Sequence, residues 1–275
     1  MKKYQLTLEK VFKSTFIIAA TMSLGSCSLT MYEPNMQNAP LLAHKGDVAV
    51  NLTLQNYQAA YAVTDNVGVM ANFYHAGSST AGSAPGFMPD GTWGTVNFTD
   101  VTKRFMGEVG AGYFIPFAER GENVGVFETY GGLGFGNVDN NRTGYAAANG
   151  ANDFFKANAL KIFIQPAIGY KYRDGWKSIE ASFSTRLSIM DYSGVTSNFS
   201  DSSLTAQGLN FVGKGMFAFF EPAITVKSGF KNFKIVQQFQ IPIQIIGNPV
   251  SHSQLAYHLG ISIDIPTGSG GKRRR

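Results

Sequence analysis

The sequence predicts an all-β protein, an antiparallel up-and-down transmembrane β-barrel of about 10 strands within a range of about 8 to 12. Three observations predict it: a period-two alternation of apolar and polar residues, runs long enough to cross a bilayer, and connections that alternate between short and long. The alternation is clearest over 161–190. Ile162, Ile164, Ile168, Tyr170 and Tyr172 fall on one side, and Lys161, Gln165, Ala167, Gly169 and Lys171 on the other, with Phe163 the exception. In the next arm Ile179, Ala181, Phe183, Leu187 and Ile189 alternate with Glu180, Ser182, Ser184, Arg186 and Ser188, a period no amphipathic helix produces. Arg173-Asp174-Gly175 supplies the turn. Each arm reaches the roughly 9 to 11 residues that a tilted strand needs to span a bilayer.

In chain order the pattern gives strands at 47–54, 58–63, 67–75, 103–117, 123–137, 160–172, 177–192, 214–228, 232–246 and 254–265. The last is the most regular: Leu255, Tyr257, Leu259, Ile261, Ile263 and Ile265 against Gln254, His258, Gly260, Ser262 and Asp264. Connections at 64–66, 118–122, 173–176 and 229–231 are short, while 76–102, 138–159, 193–213 and 247–253 are longer. That places short turns at one end and long loops at the other, as in outer-membrane barrels. Pro166, Pro222 and Pro242 fall inside strand patterns, where bulges or strand ends are expected.

Charged residues form 15% of the chain, against a usual value of about 25%, which suits a membrane barrel better than a soluble enzyme. The formal net charge of +5 comes from the ends. Lys2, Lys3, Lys10 and Lys13 precede the only cysteine, and Lys272, Arg273, Arg274 and Arg275 close the chain. The body between them is slightly acidic, which excludes nucleic acid as a partner. Residues 1–26 read as a signal peptide, with a basic start and an apolar run too short for a membrane helix. Leu24-Gly25-Ser26-Cys27 resembles a bacterial lipobox, so a covalent lipid is expected at Cys27. The alternative is a chance cysteine in an ordinary signal peptide. Residues 27–46 then form a lipidated N-terminus and tether, Pro/Asn-rich and without periodicity. The barrel occupies 47–266, and 267–275 is a basic tail.

Tyr32-Glu33-Pro34-Asn35, Pro40-Leu41-Leu42, the run from Ala60 to Met70, Phe127-Glu128-Thr129-Tyr130-Gly131-Gly132 and Phe163-Ile164-Gln165-Pro166 resemble Bacteroidota outer-membrane β-barrel lipoproteins. The resemblance covers most of residues 27–265 and names no catalytic residue. The tail departs from it, since such barrels more often end on an aromatic-terminated strand. After Cys27 there is no acidic run resembling a surface-export signal, so the anchor is expected on the periplasmic side of the bacterial outer membrane.

Little in the sequence carries chemistry. The glycines of 110–112 and 131–136 lack G-x-G-x-x-G spacing and suit tight interior space. His44, His75, His252 and His258 are scattered, with no metal-ligand spacing, and no cofactor is expected. His258 invites comparison with barrel lipid hydrolases, but a lone interior histidine is more often a hydrogen-bonded filler, so the chain is not expected to be an enzyme. The notable set is ionisable: Glu108, Glu128, Lys161, Lys171, Glu180, Arg186, Glu221, Lys227, Lys234 and Asp264 all fall on the polar face. Inside a narrow barrel such charges must pair. A filled, salt-bridged lumen is therefore expected, in a lipid-anchored outer-membrane barrel with a structural or surface-interaction role and outer-membrane lipid around it. Two alternatives remain: a periplasmic lipoprotein barrel that binds an apolar ligand with its polar face outward, and a barrel hydrolase.

Overall fold

The computed structural model describes residues 30–87, 92–143, 153–206 and 208–266. The predicted signal peptide, Cys27 and the basic tail lie outside the described residues. The strands are β1 (Asp47–Thr53), β2 (Asn56–Ala62), β3 (Val67–Phe87), β4 (Trp93–Arg120), β5 (Asn123–Thr143), β6 (Asp153–Asp174) and β7 (Lys177–Ser197). A short helix α1 (Asp201–Ala206) follows, then β8 (Met216–Phe230), β9 (Phe233–Gln240), β10 (Ile243–Ile246) and β11 (Ala256–Pro266). Neighbouring strands pair antiparallel in sequence order from β1 to β8. β11 then pairs both β1 and β9, and β9 returns to β8. The sheet closes on itself as a ring of ten strands, with β10 continuing β9 along the same neighbour β8. Closure removes the open edges that a flat sheet would expose.

The alternation decides which face turns inward. In β6 the burial pattern alternates along nearly the whole strand. Ile162, Ile164, Ile168, Tyr170 and Tyr172 are exposed on the outside, while Lys161, Phe163, Gln165, Ala167 and Lys171 are buried within. The barrel is inside out relative to a soluble one. Leu259, Ile261, Leu133, Phe183 and Ile224 extend the exposed apolar belt around other strands. Over residues 160–172 this belt runs about 40 Å at about 3.3 Å per residue, or about 30 Å in height at a tilt of about 40°. Aromatic side chains mark its margins. Tyr61, Tyr113, Tyr172, Trp176 and Phe230 lie toward the short turns, and Tyr57, Phe73, Phe105 and Phe135 toward the other mouth.

Four expectations need revision. The stretches read as loops at 76–102 and 138–159 are largely strand, because β3 to β6 continue as hairpins past the belt, whereas of 193–213 only 193–197, the end of β7, is strand and α1 follows. On the β3–β4 extension the residues around Ser83 and Asn97 are exposed or half-buried on both faces, while on the β5–β6 extension Phe155, Ala157 and Ala159 still turn inward. The turn between β1 and β2, Leu54–Gln55, is short although it lies at the long-loop mouth. Of the three prolines only Pro242 interrupts a strand, between β9 and β10. Pro222 pairs with Thr185 in register, and the β6–β7 register is the same on both sides of Pro166. The fourth concerns residues 31–43, read as a tether. They are buried almost throughout and pass through the lumen.

Two glycines show how closely this is built. Gly175 turns β6 into β7 at φ +60°, a conformation costly for residues with a Cβ. At Gly169 a Cβ would lie 2.7 Å from a side-chain methyl of Leu41 and 2.8 Å from Cβ of Ser182. Gly169→Ala is expected to destabilise the barrel in equilibrium unfolding of the purified protein. Adding Leu41→Ala should recover part of that loss, and strictly additive effects would show that Leu41 does not press on this wall.

Candidate functional site

The lumen is organised from one mouth to the other. At the long-loop mouth Met31 and Tyr32 pack with Tyr74, Met106, Tyr192, Phe217 and Phe219. Tyr32 stacks on Phe219 with ring centroids 4.2 Å apart. At the short-turn mouth Leu41, Leu42 and Ala43 pack with Met70, Phe114, Val126, Tyr130 and Phe163. Gly110, Gly112, Gly132 and Gly134 lie within β4 and β5 on the lumen side against Met70, Tyr130, Phe163 and Glu108, where they leave room for large neighbours.

All ten of the ionisable residues expected on the inner face are buried there: Glu108, Glu128, Glu180, Glu221 and Asp264 with Lys161, Lys171, Arg186, Lys227 and Lys234. Formal charge on this set therefore balances. Around Glu108 stand Lys161 at 3.0 Å and Arg186 at 3.5 Å. Asn35 and Asn72 donate to its other oxygen at 2.7 and 3.0 Å. Arg186 also donates twice to Gln165 and lies 4.8 Å over the Phe163 ring, which gives this inward-facing aromatic a partner. A second group lies nearer the short turns. Lys234 bridges Glu180 at 2.8 Å and Asp264 at 2.5 Å, and Lys171 and Lys227 flank them within 3.9 Å.

Glu221 and Glu128 are held differently. Arg186 is the direct cross-strand neighbour of Glu221, yet its ion-pair partner is Glu108. Glu221 instead accepts 2.6 Å hydrogen bonds from Tyr32 and Gln240. Glu128 accepts from the Leu41 amide at 3.0 Å. Both carboxylates thus depend on the threaded segment.

That segment is the part of the site the sequence did not reveal. An extended chain without strand neighbours must find partners for its backbone groups elsewhere. Here the wall side chains supply them. Asn56 accepts from the Met36 amide and Gln58 donates to its carbonyl. Gln238 accepts from the Gln37 amide at 2.7 Å and donates to its carbonyl at 2.9 Å, imitating a neighbouring strand. Gln165 donates to the Asn38 carbonyl at 2.8 Å. The available signal lay in composition: Asn35, Gln37 and Asn38 carry donors and acceptors but no net charge.

His258 is buried with Nδ1 3.4 Å from the Asn56 amide nitrogen. No three His, Cys, Asp or Glu side chains gather in metal-binding geometry among the described residues. A pocket of about 20 Å³ beside Tyr32, Glu33, Asn35, Tyr74, Arg104 and Lys161 has room for about one water. Outside the belt an open groove of about 330 Å³ lies on the β3–β4 extension, lined by Ala81, Gly82, Ser83, Asn97, Phe98, Thr99 and Thr143.

No family model, curated protein or solved structure matches this chain.

Removing Glu108 strands two cations at the centre of the lumen, whereas removing the charge of Glu221 breaks bonds to neutral donors. Glu108→Gln is therefore expected to cost about 3 to 5 kcal/mol in equilibrium unfolding. Glu221→Gln should cost about 1 to 2 kcal/mol. The reverse order would mean that Glu221, not Glu108, neutralises the lumen cations.

Proposed function

We propose that this protein is a lipid-anchored β-barrel of a bacterial outer membrane, closed to solutes by its own N-terminal segment, with a structural or surface-interaction role. The observation that carries this reading is the inversion of faces: an exposed apolar belt encircles a charged interior. In water, so much contiguous apolar surface is a liability far beyond the few hundred Å² of an ordinary patch. In a bilayer it is the required solvent-facing surface, and its height of about 30 Å, with aromatic margins, suits the hydrocarbon core. A barrel built to hold an apolar ligand would need an apolar interior, and here the middle of the lumen is ionic. The resemblance to Bacteroidota barrel lipoproteins and the lipobox-like Leu24-Gly25-Ser26-Cys27 support the anchor at Cys27.

A closed lumen leaves the surface as the working part. The hairpins of β3 to β6 stand beyond the belt, and the groove near Ser83 and Phe98 offers hydroxyls, an amide and a ring to an external partner. Such elements on a rigid scaffold suit recognition.

Fractionation with membranes and slower migration in SDS electrophoresis after boiling are the expected signs of a membrane barrel. Leu259, half-exposed in the belt, provides the sharper test. Leu259→Arg should lower the stability of the bilayer-inserted barrel by about 2 to 4 kcal/mol. A fully stable Leu259→Arg variant that fractionates as a soluble protein would contradict the proposal.

A further inference from the structure

The threaded segment has a direction. Its first described residues are fixed at the long-loop mouth. The Met31 amide donates to the Ser251 carbonyl at 2.8 Å, Tyr192 donates to the Met31 carbonyl at 3.1 Å, and the Ser253 amide donates to the Tyr32 carbonyl at 3.0 Å. Arg104 clasps the chain there, donating to the Thr30 carbonyl and bridging Glu33 at 3.1 Å. Thirteen or so residues later the chain is at the opposite mouth. The Lys45 amide donates to Asp65 in the β2–β3 turn, the Gly46 amide donates to the Ala62 carbonyl, and Asp47 pairs with Pro266. Between these ends each step is tied to a different wall residue, from Glu108 through Gln238 and Gln165 to Glu128. Reversing the segment would break every one of these bonds.

The segment therefore adds a crossing that the strand count does not include. Ten strands bring β1 and β11 to the same, short-turn end. The interior crossing carries the preceding residues back to the other.

Resting on the membrane-spanning reading above, we propose that the barrel serves as a conduit for its own N-terminus: residues 31–43 cross the membrane inside the lumen and display Thr30 on the long-loop, external face. Short turns face the periplasm in outer-membrane barrels, so β1 begins on the periplasmic side and Thr30 lies outside. Cys27 stands three residues before Thr30 in the chain, and a lipid there is drawn toward the outer leaflet. This is the opposite side from the one that the missing acidic export signal suggests. The wall reads backbone groups of the segment at Met36, Gln37, Asn38 and Leu41 as well as the side chains of Tyr32, Glu33 and the amides.

Three variants, each with one cysteine added to a chain whose own Cys27 serves as the unsubstituted labelling control, test the crossing: Thr30→Cys, Ser83→Cys on the long-loop hairpin and Asp174→Cys at a short turn. Each is treated on cells with a membrane-impermeant maleimide, before and after permeabilisation. Thr30→Cys and Ser83→Cys should label on intact cells, and Asp174→Cys only after permeabilisation. An epitope inserted between Ser28 and Leu29 should likewise be reached by antibody on intact cells, which covers a Thr30→Cys thiol too shielded to react. Labelling of Thr30→Cys or the epitope only together with Asp174→Cys would overturn the crossing. Labelling of Asp174→Cys alone on intact cells would overturn the external placement. If Ser83→Cys and Asp174→Cys behave alike, the membrane-spanning reading itself fails and the conduit fails with it.

Discussion

A charge on the inner wall of a narrow barrel has no bulk water to solvate it, and this constraint governs the rest of the molecule. Stranding one such ion costs several kcal/mol, a large fraction of a protein's net stability. The wall answers with five acids and five bases, but pairing across the wall is incomplete. Glu128 and Glu221 are satisfied by Leu41 and Tyr32 of the threaded segment. Asn35 donates to Glu108 while accepting from Lys161 and Arg186, so one neutral amide serves both signs. Barrel and segment are thus two parts of one core, and neither has a satisfied interior without the other.

The same constraint explains the two apolar layers. Ion pairs gain strength where water is excluded. Met31, Tyr32, Tyr192 and Phe217 close one mouth, and Leu42, Phe114 and Tyr130 help close the other. The charged middle is enclosed between them. Arg186 over Phe163 shows the principle locally, an aromatic face standing where water would otherwise solvate a guanidinium.

What was legible in the sequence was whatever repeats locally. Period two located the ten strands, and the polar parity of Glu180, Arg186 and Lys171 placed the ionic set on the inner face before its partners were known. That these charges pair was expected, and Glu180 stands in register between Lys171 and Lys227. Lys234 lies closer to Glu180 than either, from the strand beyond β8. No local pattern carried that contact. Still less legible was Tyr32 to Glu221, between residues 189 positions apart in a segment that has neither alternation nor helical period. The β3–β4 extension was missed for the converse reason, since with solvent on both faces Ser83 and Asn97 show no buried parity to read.

The central claim is that the lumen is filled by the chain's own N-terminal segment, and ion conductance across a planar bilayer tests it most directly. Purified full-length protein inserted into the bilayer should carry no steady current at any salt concentration. Stable channels of uniform size with salt-dependent conductance would contradict the account and make Glu108, Arg186 and their neighbours the lining of an open pore.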